Sequence, residues 1–266
     1  MELQDIYRDI DPAKHPCAEP MRMMGKRGAI LGHMYLPGGE EKVPAVLMNH
    51  GYPGGEQNMD IAQALRRMGF AAMTYHYSGS WGSDGDFSFR NCLEDAETVL
   101  DTMLAHPAID SRRIYVFGHS MGGFVAAHLT ARRTEPRGTV LMCPWDAARS
   151  YVYDQDNLLE VLRCGPGFLR GTSVEDLLQE LGDSAEALRL DHLAPRLLDR
   201  PLACIIAGED EDLPVDLHAR PFRDAMLAAG AEEKLRYEEI PGTHSFHANR
   251  LAATEAVARA LLAMES

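Results

Sequence analysis

The sequence of 266 residues is long enough for one large α/β domain with a small appended segment. Its formal net charge of −14 argues against nucleic acid or an anionic membrane as a partner. No apolar run reaches the length that crosses a bilayer. The cysteines lie at scattered positions without metal-binding spacing, and the first ten residues are acidic and amphipathic. We therefore expect no disulfide framework, no signal peptide and a cytoplasmic location.

Short apolar runs alternate with amphipathic stretches along most of the chain, and this predicts strands alternating with helices. The predicted strands are 18–26, 27–36, 45–49, 70–75, 114–117, 138–142, 202–207 and 235–240. The predicted helices are 59–68, 91–105, 124–132, 217–229 and 251–263. The first two strands are expected to form an antiparallel pair, and the remaining pattern predicts a doubly wound, mostly parallel sheet. Ligands of such sheets bind beyond the carboxyl ends of the strands.

One long segment interrupts this alternation after the sixth predicted strand. It holds roughly sixty residues, far more than a crossover needs. Its pattern predicts short helices near 155–163, 173–181 and 183–190, with Thr172 or Ser173 and Asp183 as caps. We therefore divide the chain into a core, residues 1–144 and 197–266, and a helical lid over the pocket, residues 145–196. The alternative is a surface insertion without a role at the pocket.

The most informative motif joins the fifth strand to the helix that follows it. The strand leads into Gly118-His119-Ser120-Met121-Gly122, and strand, Gly-x-Ser-x-Gly and helix in this order form a nucleophile elbow. The turn is so sharp that side chains two positions from the serine would collide, which explains the glycines. The turn exposes the hydroxyl, and the amino end of the helix points at the reaction centre. Ser120 is therefore the predicted nucleophile, with a structural glycine-rich turn as the alternative.

A serine hydroxyl needs a base to accept its proton. Of the 11 histidines, His244 follows the last strand within a turn and precedes the last helix, so it is the predicted base. His247, nearer that helix, is the second choice. The acid that orients the base should follow the preceding strand. Asp210 is preferred there and Asp212 is second, while Asp146 offers an alternative after the neighbouring strand.

Attack on a carbonyl group creates an oxyanion, which backbone amides can stabilise. The Met121 amide lies at the start of the elbow helix. The Tyr52 amide follows the third strand, in a loop where Gly51 permits the backbone to approach Ser120 closely. These two amides are the predicted oxyanion hole. Aromatic side chains after the strands, Trp81 and Trp145 in particular, are predicted to line an apolar substrate pocket.

Four stretches of the chain together resemble the α/β-hydrolase superfamily: His50–Gly54, Tyr77–Gly85, Gly118–Gly123 and Gly242–Phe246. The likeness extends from about residue 20 to the end. It is strongest to dienelactone-hydrolase-like and acylaminoacyl-peptidase-like esterases, which carry a helical lid after the sixth strand. The resemblance implies the α/β-hydrolase fold and the same roles for Ser120, His244 and the two amides. The acid loop is one residue shorter than the family pattern, so counting from Gly208 favours Glu211, whereas counting from Pro214 favours Asp210.

These residues predict acyl transfer to a serine, and hence a hydrolase that cleaves a small-molecule carboxylic ester. Such chemistry requires no metal and no organic cofactor. The glycines at 79, 82 and 85 do not form a phosphate-binding turn, so no nucleotide site is expected. An acylaminoacyl-type peptidase or amidase is one alternative, and a non-catalytic binding protein on the same fold is another. A homodimer through the lid or the sheet edge is a further expectation.

Overall fold

The computed structural model describes residues 1–266, and its centre is an eight-stranded sheet. The strands are β1 (Cys17–Gly25), β2 (Gly28–Leu36), β3 (Val43–Asn49), β4 (Ala71–Tyr75), β5 (Ile109–His119), β6 (Gly138–Met142), β7 (Leu202–Ala207) and β8 (Leu235–Ile240). Their order across the sheet is β1-β2-β4-β3-β5-β6-β7-β8. β2 is antiparallel to both β1 and β4, and the strands from β3 to β8 are parallel. The predicted doubly wound, mostly parallel sheet is confirmed.

Eight α-helices flank this sheet. They are α1 (Met59–Arg67), α2 (Phe89–Ala105), α3 (Met121–Arg132), α4 (Ala147–Tyr153), α5 (Gln155–Leu162), α6 (Val174–Leu188), α7 (Ala219–Ala228) and α8 (Arg250–Glu265). Short 3₁₀ helices occupy Leu3–Tyr7, Pro12–Lys14 and Asp191–Arg196. None of the helices combines the length and the apolar character that crossing a bilayer requires.

The sheet separates two apolar cores, because successive strand residues point to opposite faces. On β3, Leu47 packs into the core beneath α2 and α3, whereas Val46 and Met48 pack into the core beneath α1 and α8. Both faces of the central strands are thus buried, as the continuous apolar runs of the sequence indicate.

The segment between β6 and β7 is helical as predicted, but two of its details differ from the prediction. α6 runs from Val174 to Leu188 without a break, so the prediction that Asp183 caps a separate helix is wrong. Gly182 and Asp183 are weak helix formers, yet Leu181 and Leu188 are buried on one continuous face. No pattern in the sequence predicts α4, because this helix is too short to show a helical period.

The topology places the chemically interesting loops together. Because β3, β5, β7 and β8 run parallel, their carboxyl ends lie at one edge of the sheet. The loops that leave these ends carry Tyr52, Ser120, Asp210 and His244, respectively. Candidate residues that are far apart in the sequence therefore meet at this edge.

Candidate active site

Ser120 occupies the turn between β5 and α3 with a backbone φ of 57° and ψ of −124°. Residues other than glycine rarely adopt positive φ, so neighbouring contacts must hold this conformation. A Cβ atom at Gly118 would lie 1.9 Å from the Gly122 carbonyl oxygen, and one at Gly122 would lie 2.0 Å from the Asn49 carbonyl oxygen. Only glycine fits at either position, which gives the motif its physical basis.

The elbow is also held by hydrogen bonds to the strand beside it and to the start of the inserted helices. The Ser120 amide donates to the Met142 carbonyl oxygen at 3.0 Å, and the Trp145 amide donates to the Ser120 carbonyl oxygen at 2.9 Å. Ser120 is buried, with 8% of the residue exposed to solvent. Its hydroxyl has no hydrogen-bond partner within the chain. The hydroxyl therefore remains available to a ligand.

The imidazole of His244 lies beside the carboxylate of Asp210. His244 Nδ1 and Asp210 Oδ2 are 2.7 Å apart. A carboxylate oxygen accepts, so Nδ1 carries the proton and Nε2 is left as the basic nitrogen. The other Asp210 oxygen, Oδ1, accepts from the Leu213 amide at 2.8 Å, which fixes the orientation of the carboxylate.

The structure discriminates among the candidate acids and bases. Asp210 is the carboxylate that contacts His244, whereas Glu211 and Asp212 are exposed and line the cavity nearby. His247, the second choice as base, is exposed and lies outside the group of residues that line that cavity.

Asp146, the remaining alternative acid, has a different task. One of its oxygens accepts from the Arg149 amide and caps α4, and the other accepts from the Leu190 amide, each at 2.9 Å. It therefore joins the two ends of the inserted segment. Burial raises the pKa of Asp146 to about 6.

A cavity of about 290 Å³ lies beside Ser120 and His244. It is lined by Tyr52, Pro53, Ser120, Asn157, Glu160, Val161, Cys164, Glu211, Asp212, Leu213 and His244. A Cβ atom at Gly51 would lie 3.0 Å from Ser120 Cβ, so the loop after β3 passes directly beside Ser120. The Tyr52 amide has no acceptor within the chain, and Met121, the first residue of α3, carries one of the free amides at the helix start. Both predicted oxyanion donors are thus in the neighbourhood of Ser120.

Neither tryptophan predicted for the pocket lines this cavity. Trp145 is fully buried and packs against the Tyr52 ring at 5.9 Å between centroids, so it lies behind the cavity wall. Trp81 is 43% exposed, stacks on Phe168 and donates from Nε1 to the Pro53 carbonyl oxygen. The structure therefore does not bring these two side chains to the site.

The inserted segment, predicted as a lid over the pocket, contributes a wall of the cavity whose lining residues the sequence did not identify. These lining residues are Asn157, Glu160, Val161 and Cys164. They recur every three or four positions, which is the spacing of one face of α5 and its last turn. That spacing is visible in the sequence, but the burial of Leu158 and Leu162 decides which face points at the cavity.

His119 packs against the candidate base. The two imidazole rings stack with 5.0 Å between their centroids, and His119 Nε2 donates to the main-chain carbonyl oxygen of His244 at 3.1 Å. Burial lowers the pKa of His119 well below its usual value. The ring therefore stays neutral and supports the His244 loop without adding a charge beside it.

Cys143, Asp210 and His244 form a group whose ligand atoms all lie within 4.8 Å of one another. Metal binding would require a thiolate, but burial raises the pKa of the Cys143 thiol well above its usual value. Its sulfur also accepts from the Ala207 amide at 3.3 Å. Cys143 is therefore a protonated thiol that packs against the hydrogen-bonded pair of Asp210 and His244.

Residues 40–178 match the family model described as serine aminopeptidase, S33. Because this match covers just over half of the chain, the chain belongs to that family of serine hydrolases within the α/β-hydrolase superfamily. The matched region includes the elbow with Ser120 and most of the inserted segment.

Curated relatives include an uncharacterised protein of Mycobacterium tuberculosis, which is 29% identical over 219 residues, covering 81% of this chain and 68% of that protein. The lysophosphatidylserine lipase ABHD12 of Gallus gallus is 29% identical over 136 residues, covering 47% of this chain and 34% of the lipase. The aligned part thus spans about a third of the length of that lipase.

Solved structures of similar fold include Est1E from Butyrivibrio proteoclasticus with bound ferulic acid, at a TM-score of 0.71 and 19% identity, covering 92% of this chain and 98% of that chain. A puromycin hydrolase matches at a TM-score of 0.70 and 20% identity, covering 96% of this chain and 39% of that chain. These likenesses confirm the α/β-hydrolase fold that the sequence predicts.

Proposed function

We propose that this serine hydrolase cleaves small-molecule carboxylic esters, with Ser120 as nucleophile, His244 as base and Asp210 as the acid that orients the base. The observation that carries the proposal is the Asp210–His244 hydrogen bond of 2.7 Å at the edge of the same cavity as the unpartnered Ser120 hydroxyl. Nucleophile, base and orienting acid are the three groups that acyl transfer requires.

The reaction follows from these positions. His244 Nε2 accepts the proton of Ser120 as Oγ attacks the carbonyl carbon of the ester, and the Tyr52 and Met121 amides donate to the oxyanion. Collapse of the tetrahedral intermediate breaks the bond to the alcohol, which leaves with the proton from His244. Water then attacks the acyl-enzyme by the same route and releases the carboxylic acid, which restores Ser120.

The inserted segment, residues 145–196, acts in this proposal as a lid that shapes the pocket. Its α5 lines the cavity, and the Tyr52 hydroxyl donates to the Leu162 carbonyl oxygen at 2.8 Å. This bond links the loop beside the nucleophile to the end of α5. The segment therefore contributes to substrate choice, and the strand ends supply the chemistry.

Esters are favoured over amides by the likeness to the lysophosphatidylserine lipase ABHD12, which aligns with 47% of this chain. The family description, serine aminopeptidase, favours the second candidate, a peptidase or amidase. Both use the same acyl-enzyme route, and the difference lies in the leaving group. An experiment with matched leaving groups therefore separates them.

The test is hydrolysis of p-nitrophenyl esters of increasing acyl length by the wild type and by Ser120→Ala. Removing the nucleophile is expected to lower kcat by roughly 10⁴-fold or more. Ser111→Ala is the matched control, because this exposed serine lies on the same strand at the end away from the turn. The control is expected to keep the wild-type rate.

The corresponding p-nitroanilides decide between the two candidates, since a faster turnover of anilide than of ester would favour the amidase. Absence of turnover by the wild type, together with no labelling of Ser120 by a fluorophosphonate, would overturn the proposal and favour a binding protein on this fold.

A further inference from the structure

The cavity beside Ser120 has an uneven distribution of charge. Three carboxylates line it: Glu160 from α5, and Glu211 and Asp212 from the loop after β7. No lysine and no arginine is among the 11 lining residues. The three residues come from two separate parts of the fold and line the same cavity as Ser120, so their charges lie near any ligand that reaches it.

These carboxylates are not neutralised by the rest of the chain. Arginine–carboxylate pairs are frequent elsewhere, as at Arg149–Asp191 and Arg250–Asp60, yet Glu160, Glu211 and Asp212 take part in none. The contact of Asp212 with Asn157 uses its main-chain oxygen, which accepts from Asn157 Nδ2 at 2.9 Å. The three negative charges are therefore uncompensated.

A buried acceptor adds to this pattern. Asn157 lines the cavity, and with its Nδ2 committed to Asp212, its Oδ1 atom is buried without a hydrogen-bond partner. A buried polar atom without a partner is unusual in a folded protein. Three carboxylates and the oxygen end of the Asn157 amide thus lie around the cavity, and this distribution of negative charge suits a ligand that carries a positive charge.

We propose that the cavity selects esters that carry a cationic ammonium group. The inference rests on the proposed esterase function and specifies its substrate class. A cleft lined by charges of one sign raises the local concentration of oppositely charged ligands and lowers that of like-charged ones. Exposed charge pairs each change an equilibrium by roughly 1.4- to 5-fold. Three carboxylates together therefore predict about a tenfold preference for a cation over a neutral molecule of the same shape.

The test compares esters that differ only in charge. Butyrylcholine and 3,3-dimethylbutyl butyrate have the same shape, because a quaternary carbon replaces the quaternary nitrogen on the alcohol side. On the acyl side, p-nitrophenyl 4-(trimethylammonio)butanoate is matched by p-nitrophenyl 5,5-dimethylhexanoate. The measurement is the ratio of kcat/KM for the cationic and neutral members of each pair, by pH-stat for the first pair and by absorbance for the second. The pair with the larger ratio shows on which side of the ester the cation is bound.

We expect a ratio of about ten in at least one pair at low ionic strength, falling toward one in 0.5 M NaCl, because salt screens exposed charges. The triple variant E160Q/E211Q/D212N is expected to bring the ratio close to one at low salt. The matched control is E40Q/E232Q/E233Q, which removes three exposed charges before β3 and β8, at the opposite edge of the sheet. The control is expected to keep the wild-type ratio.

Ratios near one in both wild-type pairs would overturn the inference and leave the esterase function standing, as long as the neutral esters are hydrolysed. A preference that survives in the triple variant, or that disappears equally in the control, would also overturn it, because the effect would then not arise at the cavity. Failure to hydrolyse any of the four esters would instead contradict the proposed function itself.

Discussion

The two walls of the cavity come from regions of the molecule in which different structural constraints determine the positions of the side chains. One wall is the carboxyl edge of the sheet, which carries Ser120, Asp210 and His244 on loops that leave parallel strands. The other is the face of α5, which carries Asn157 and Glu160. In a strand, alternation between the two faces and the register with neighbouring strands determine where each side chain points. In a helix, the direction of each side chain depends on which apolar residues the helix buries. The sheet therefore constrains the positions of Ser120, Asp210 and His244 tightly, whereas the insertion can change the shape and the lining of the pocket.

The sharpest test on the sheet side is Asp210→Asn, for which we expect kcat to fall about 10⁴-fold with a neutral p-nitrophenyl ester. An asparagine amide can donate to His244 Nδ1, which would move the imidazole proton to Nε2 and block its action as a base. Glu211→Gln changes the adjacent carboxylate without touching the imidazole, and it is expected to cost less than tenfold. Steady-state kinetics of the two variants make the comparison, and equal losses would show that Asp210 is not the orienting acid.

The sheet side of the site could be predicted from the sequence because its constraints are local and the topology is regular. The elbow requires Gly118 and Gly122, and the order of strands then places an acid after β7 and a base after β8. The sequence favours Asp210 as the acid but leaves Glu211 open, since a loop of adjacent acidic residues has no period that orients each side chain. The hydrogen bond to His244 provides that information.

The insertion could be predicted only as a helical segment. α4 has too few turns for a periodic signal, and its cap, Asp146, resembles a catalytic acid because it too follows a strand. The positions of Trp81 and Trp145 could not be predicted either, because an aromatic residue after a strand can face the pocket or lie behind its wall. In each case packing between distant segments decides the outcome, and no short sequence window records it.

Asp146 joins the two ends of the insertion, so its substitution tests how firmly these ends are held together. Burial raises its pKa to about 6 in the folded chain, above the value of about 3.9 expected when unfolded. Between these values the folded state binds more protons than the unfolded state, so stability falls as the pH rises. We expect the free energy of unfolding of the wild type, relative to Asp146→Asn, to fall by roughly 2 kcal/mol from pH 4 to pH 7.

Urea unfolding of both proteins at the two pH values measures this difference, and the asparagine variant serves as the reference because it cannot titrate at this position. A difference that does not change with pH would mean that the carboxyl group is solvated in the folded chain. The joint between the two ends of the insertion would then be looser than the hydrogen bonds to Arg149 and Leu190 indicate.

The smallest expected effect concerns where α6 begins. Ser173 Oγ accepts from the Asp176 amide at 3.1 Å, and the Asp176 carboxylate accepts from the Ser173 amide at 2.9 Å, which is a capping box. Ser173→Ala is expected to cost about 1 kcal/mol of stability in urea unfolding. Asp183→Ala, at an exposed position in the middle of the same helix, is expected to change stability by less than about 0.5 kcal/mol. Equal costs would mean that a second helix starts at Asp183, as the sequence alone suggests, and that the continuous face of Leu181 and Leu188 does not hold the segment together.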